Sequence, residues 1–147
     1  MDADEIIARY RLAPHPEGGH YSEIFRAQAE DGGRGAVTSI YYLLRAGEVS
    51  AWHRVDAVEI WHYHAGEALK LELSLDGVET TSHRLGVDAG AWPQVVVPVG
   101  AWQSARPGGA CPVGGCRGAP AFSCPGSPPP PPGGPRGGAS TRVGRPD

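Results

Sequence analysis

The sequence predicts an all-β domain with a short N-terminal helix and a disordered Gly/Pro-rich C-terminal tail. Three observations carry that prediction. Between residues 36 and 106, short segments rich in Val, Leu, Tyr and Trp recur between Gly and Pro turns. Within them Leu69, Leu71, Leu73 and Leu75 alternate with Lys70, Glu72 and Ser74, the period-two pattern of a strand with one buried and one wet face. After Arg106 the pattern collapses: of the 41 residues that follow, 11 are Gly and 11 are Pro, a composition that does not sustain regular strands. Short antiparallel strands at such spacing build a β-barrel or a sandwich.

The elements follow in order. In MDADEIIARY, Asp2 or Asp4 caps a helix whose first turn is acidic, and Ile6, Ile7 and Tyr10 give it an apolar face that ends before Pro14. The prolines and glycines of PHPEGG then force a turn ahead of an extended HYSEIFR segment. AVTSIYYLL, β-branched and aromatic, reads as a strand that stops at Ala46-Gly47. SAWHRV and EIWHYHA follow, then ALKLELSL. Asp76-Gly77 signals a hairpin with VETTSHRL as the returning strand, and QVVVPVGAWQSA closes the series.

At 147 residues the chain suits one domain, here residues 1–106, with residues 107–147 as the tail. The domain carries a net charge of −6 and the tail +3. An acidic domain without a basic patch excludes a nucleic-acid surface. The acidic N-terminus is not a secretory leader, and no run approaches the ~18 apolar residues of a membrane span, so a cytoplasmic location is expected. Cys111, Cys116 and Cys124 all fall in the tail, are odd in number and lack a CxxC spacing, which points to free thiols and not to a zinc site.

The chemistry concentrates in GEVSAWHRVDAVEIWHYHAG. Its spacing is Gly47, five residues, His53, one residue, Val55, three residues, Glu59, six residues, Gly66. A strand ending on His53, a short hairpin and a strand starting at Glu59 place an imidazole beside a carboxylate in one interior. Such a pair binds a metal or moves a proton.

This block resembles the first cupin motif, G-x5-H-x-H-x3,4-E-x6-G, at every fixed position except the second His, where Val55 stands. Pro98-Val-Gly100-Ala-Trp102-Gln103 resembles the second motif, with Gln103 in place of its His and Pro107 in place of its Asn. Together with PHPEGGHYSEIFR these segments resemble one branch, the domain-of-unknown-function-985 family (cupin type 5), over about residues 5–106. The resemblance implies a cupin jelly-roll β-barrel, a homodimer and a small-molecule ligand held between the sheets. It implies no settled reaction, since cupins include oxygenases, epimerases and non-catalytic proteins. The tail departs from the family where further strands are expected. The hypothesis is an off-frame reading after Arg106 that leaves the barrel mouth open with an exposed strand edge.

The motif match places His53 and Glu59 at ligand positions. Both are the candidate catalytic pair, His53 as general base or metal ligand and Glu59 as its partner acid; their structural alternatives are a hydrogen-bonded core His and a rim Glu. A divalent metal, if present, would use His53, Glu59 and Gln103, but Val55 leaves the two-His-one-carboxylate triad incomplete, and Gln103 is better suited to hydrogen-bonding a ligand. Strand parity turns Trp61 and Tyr63 inward with Glu59, as aromatic walls for a flat ring or sugar face, and turns His62 and His64 outward. Tyr41 and Tyr42 straddle their strand, and Tyr42 is a candidate inward hydroxyl. His15, Glu17 and His20 have two readings, a place at the barrel mouth or, the stronger one, parts of a turn dictated by the prolines and glycines; His83 reads as surface. Two functions are expected from these residues. One is an isomerase- or epimerase-like enzyme, working by acid–base or metal-assisted chemistry on a sugar- or nucleotide-like metabolite. The alternative is a non-catalytic metabolite-binding module, or a frameshifted cupin without activity.

Overall fold

Asp2 opens the first element as a capping box: its carboxylate accepts from Glu5 N at 2.9 Å while the Glu5 side chain accepts from Asp2 N at 2.8 Å. A cap of this kind is worth about 1 kcal/mol. The helix, α1 (Ala3–Tyr10), ends at Arg11, whose left-handed backbone (φ 54°) turns the chain. Ile6 is the residue it buries, against Leu12 and Leu43, whereas Tyr10 stays exposed and meets the Tyr41 ring at 5.4 Å. The computed structural model describes residues 2–109 and the backbone of 113–119.

Among the described residues ten strands follow: β1 (Ala13–Pro14), β2 (His20–Arg26), β3 (Thr38–Leu43), β4 (Ser50–His53), β5 (Val58–Ala65), β6 (Leu69–Ser74), β7 (Thr81–Leu85), β8 (Gln94–Val97), β9 (Trp102–Pro107) and β10 (Val113–Ala119). They form a six-stranded sheet, β1-β2-β3-β10-β5-β8, and a four-stranded sheet, β4-β9-β6-β7, with antiparallel pairing throughout. The core lies between them. Tyr21, Ile40, Tyr42, Trp61, Val95 and Val97 come from the larger sheet, and Leu69, Leu71, Leu73, Leu85 and Ala105 from the smaller. Among the described residues no helix is long and apolar enough to cross a membrane.

Two parts of the expected fold are corrected. The sheets do not close into a barrel. Among the described residues one isolated bridge, Leu85 to Trp92, joins the two at one corner. There β8 is held to four residues between Pro93 and Pro98, and proline can neither donate to a ladder nor extend one. At the opposite corner Ala51 N donates at 2.8 Å to the carbonyl of Glu17, a turn residue, so a loop and not a strand covers the edge of β4.

The second correction concerns the tail, expected to be without strands from residue 107. β9 runs through Pro107, and Val113–Ala119 forms β10 between β3 and β5. Composition misleads here because ladder bonds are made by main-chain groups. Two facing edges with unpaired N–H and C=O groups accept any segment that lacks proline, and VGGCRGA lacks it. The larger sheet therefore does not show the expected gap at this position. Residues 110–112 and 120–147, with Cys111 and Cys124, lie outside the described residues.

The hairpin after β6 also differs from the sequence reading. Asp76 Oδ1 accepts from Val78 N (2.8 Å) and Glu79 N (2.9 Å), which withdraws those amides from pairing. The returning strand β7 accordingly starts at Thr81, opposite Leu73.

Candidate functional site

Four polar or aromatic side chains meet between the sheets at positions where hydrocarbon is the norm. The larger sheet supplies Glu59 and Trp61 from β5, whose inward positions are set by the alternation of buried and half-buried residues along the strand. The smaller sheet supplies His53 from β4 and Gln103 from β9, which are cross-strand partners. Glu59, His53 and Gln103 are essentially inaccessible to solvent (0%, 1% and 1% exposed), so each polar atom must be answered from within the protein or by a ligand.

The answers bridge the two sheets. Trp61 Nε1 donates to Gln103 Oε1 at 2.8 Å, and Gln103 Nε2 donates to Glu59 Oε2. An indole N–H is only a donor, so it dictates the amide orientation: oxygen toward Trp61, NH2 toward Glu59. On β4, His53 Nδ1 lies 2.7 Å from Ala51 O. A carbonyl is only an acceptor, so Nδ1 carries a proton, and in the neutral ring the lone pair falls on Nε2.

The aromatic residues complete the arrangement. Tyr42 is buried, its ring edge-on to Trp61 at 5.6 Å, and its hydroxyl donates to Gly18 O. Tyr63 is half-buried against the core and its hydroxyl donates to Gly66 O. Tyr41 faces the other way, toward Tyr10 and the exposed His64. Val55 is a buried apolar residue whose carbonyl accepts from Gly100 N at 2.9 Å, tying the two motif turns together.

These donors do not fit a metal centre. Among the described residues no group of three or more His, Cys, Asp or Glu could hold an ion. The Gln103 oxygen is already engaged by Trp61, so ligation through it would break that bond.

The turn before β2 packs beside this site, against Tyr42. His15 packs against Tyr21 (4.8 Å) and Tyr42 (5.2 Å), and its Nδ1 accepts from Glu17 N at 3.0 Å. Gly18 and Gly19 have φ of 111° and 76°, and a Cβ on them would lie 2.1 Å from Val49 O and 2.5 Å from Leu43 O. Only glycines let the turn lie this flush on the sheets. Glu17 is carried into the interior, 4% exposed. The signal was available: an acid flanked by residues that permit one backbone path.

The chain is similar to known proteins in sequence and fold. The family model described as Cupin superfamily (DUF985) matches residues 4–127, past the point where the motif resemblance ends. Protein SO0799 from Shewanella oneidensis is similar at 38% identity with a TM-score of 0.79, over 84% of this chain and 80% of that one. A hypothetical protein from Leishmania major is similar at 30% identity and a TM-score of 0.74, over 84% of each chain. KdgF from Halomonas sp., at 11% identity and a TM-score of 0.55 over 77% of this chain and 90% of that one, shares the fold alone. No curated protein matches. With its two partial motifs, its facing sheets and these relatives, the chain belongs to the DUF985 family of the cupin superfamily.

Proposed function

We propose that the protein is a small-molecule-binding cupin whose ligand is a polar, ring-bearing metabolite of the sugar or nucleotide type. The observation that carries this reading is the Trp61–Gln103–Glu59 chain: buried polar groups bonded across two sheets at positions that could be apolar. Sites that combine aromatic walls with a few fixed polar groups are built for recognition. Binding fits these residues better than metal chemistry, because Val55 and Gln103 stand at the two positions where a histidine would complete a two-His-one-carboxylate triad with His53 and Glu59. A homodimer is part of the same proposal, and sedimentation measures it.

One observation favours a second reading, proton transfer. The Ala51 carbonyl fixes the His53 tautomer so that Nε2 is the basic nitrogen, the arrangement a general base needs. Glu59 would then be the acid on the facing sheet. In this reading the protein abstracts a proton, as an isomerase or epimerase does.

Calorimetry of the full chain with D-glucose, D-glucosamine, D-glucuronate, uridine and uridine monophosphate tests the choice. The binding reading expects at least one of them to bind, with Trp61→Ala and Tyr63→Ala losing more affinity than His53→Ala. Turnover of a bound probe that disappears in His53→Ala would instead establish proton transfer. If none of the five binds, the binding reading is wrong.

A further inference from the structure

We propose that Glu17, on the turn before β2, is a ligand-binding residue of the His53–Glu59 site and receives a hydrogen-bond donor, a hydroxyl or an ammonium group, from the ligand; this rests on the binding reading above. Glu17 is 4% exposed, its Oε2 is fully enclosed, and that oxygen accepts no hydrogen bond. Among the described residues the carboxylate has no ion-pair or hydrogen-bond partner. A carboxylate taken out of water without a partner is among the costliest arrangements a fold can hold. Such a group persists where something outside the chain completes it.

Its place ties it to the site. Ala51 N donates to Glu17 O at 2.8 Å, and Ala51 O faces His53 Nδ1 at 2.7 Å. The Glu17 backbone and the His53 ring are thus both held by the main chain of one β4 residue, Ala51. From the other side, Gly18 O takes the Tyr42 hydroxyl, and Tyr42 packs on Trp61, the start of the hydrogen-bonded chain to Glu59. The turn thus reaches both sheets' contributions.

The backbone around the acid is fixed in advance. His15 Nδ1 holds the Glu17 amide, and the close approach of Gly18 and Gly19 to β3 and to the start of β4 leaves no slack. A rigidly held acceptor costs the ligand little ordering on binding. The acceptor is suited to a donor and not to a metal ion, since no three-ligand cluster includes it among the described residues.

The test is Glu17→Gln, which keeps the shape and removes the charge, in the full chain. In thermal denaturation without ligand at neutral pH, the variant is expected to melt at or above the wild-type temperature, because an unanswered charge has gone. A melting temperature several degrees lower would make the carboxylate structural and overturn the proposal. In calorimetry, D-glucosamine affinity is expected to fall about tenfold, while D-glucuronate, itself an anion, binds the variant no worse. Unchanged D-glucosamine and D-glucose affinity in Glu17→Gln, alongside loss in Trp61→Ala, would overturn the role of Glu17 and leave the binding reading standing. Failure of all five probes to bind the wild type would overturn both.

Discussion

β6 and β5 obey the same alternation and bury opposite chemistries. On β6 the inward residues are Leu69, Leu71 and Leu73, 5%, 0% and 6% exposed, backed by outward Lys70 and Glu72. On β5 the inward residues are Glu59 and Trp61, equally buried, and the facing position on β9 is Gln103. The leucine half contributes stability through area removed from water, roughly 1.5–3 kcal/mol per side chain. The polar half contributes far less, because each hydrogen bond there replaces one to water. Alternation says which residues point inward; only their chemistry says whether the inside is for packing or for binding.

That contrast is broken first at its strongest point. Leu71→Ala is expected to cost about 2–5 kcal/mol in urea denaturation, and, provided the variant is folded, to leave the affinity for any bound probe within a small factor. A loss of binding as large as the loss of stability would show that the two halves are one unit.

The polar half gives the next effect and a sharper one. Gln103→Leu removes the acceptor of the Trp61 N–H and one donor to the Glu59 carboxylate, at an expected cost of about 1–3 kcal/mol. Adding Trp61→Phe and Glu59→Leu removes the two groups that Gln103 bonds, so the triple variant is expected to regain much of that stability while binding nothing. If the triple variant is less stable than Gln103→Leu alone, the network is structural, and the difference drawn between β5 and β6 fails.

The sequence made the inward side of β5 legible, since Glu59, Trp61 and Tyr63 share a parity that needs no structure to count. His53 and Glu59 were legible as a pair through their spacing in the first motif. The bond that organises them was not: Trp61 and Gln103 stand 42 positions apart on strands of different sheets, and no local pattern encodes that approach. Closure into a barrel was over-read, because strand spacing carries no information on whether two edges meet. β10 was missed for the opposite reason: its residues have little strand propensity, and its place is made by the edges of β3 and β5. Glu17 is legible only as a turn residue that could lie at the barrel mouth, since the prolines and glycines around it explain a turn without explaining an acid.

The smallest expected effect lies at the far end of the leucine half, where charge is fully solvated. Asp76 caps the turn after β6, and the amides of Val78 and then Glu79 hold its carboxyl below the ordinary value of 3.8. The folded state thus releases the proton more readily than the unfolded chain, so the stabilisation is present above pH 3.8 and fades as pH falls through the lowered value. Asp76→Asn keeps an acceptor oxygen without the titration. Wild type is therefore expected to exceed the variant in stability near neutral pH by a small margin that shrinks below 3.8, read from paired thermal melts across that range. A margin that stays constant with pH would mean the turn is held by shape and not by charge, and would leave β6 with hydrocarbon as its whole contribution.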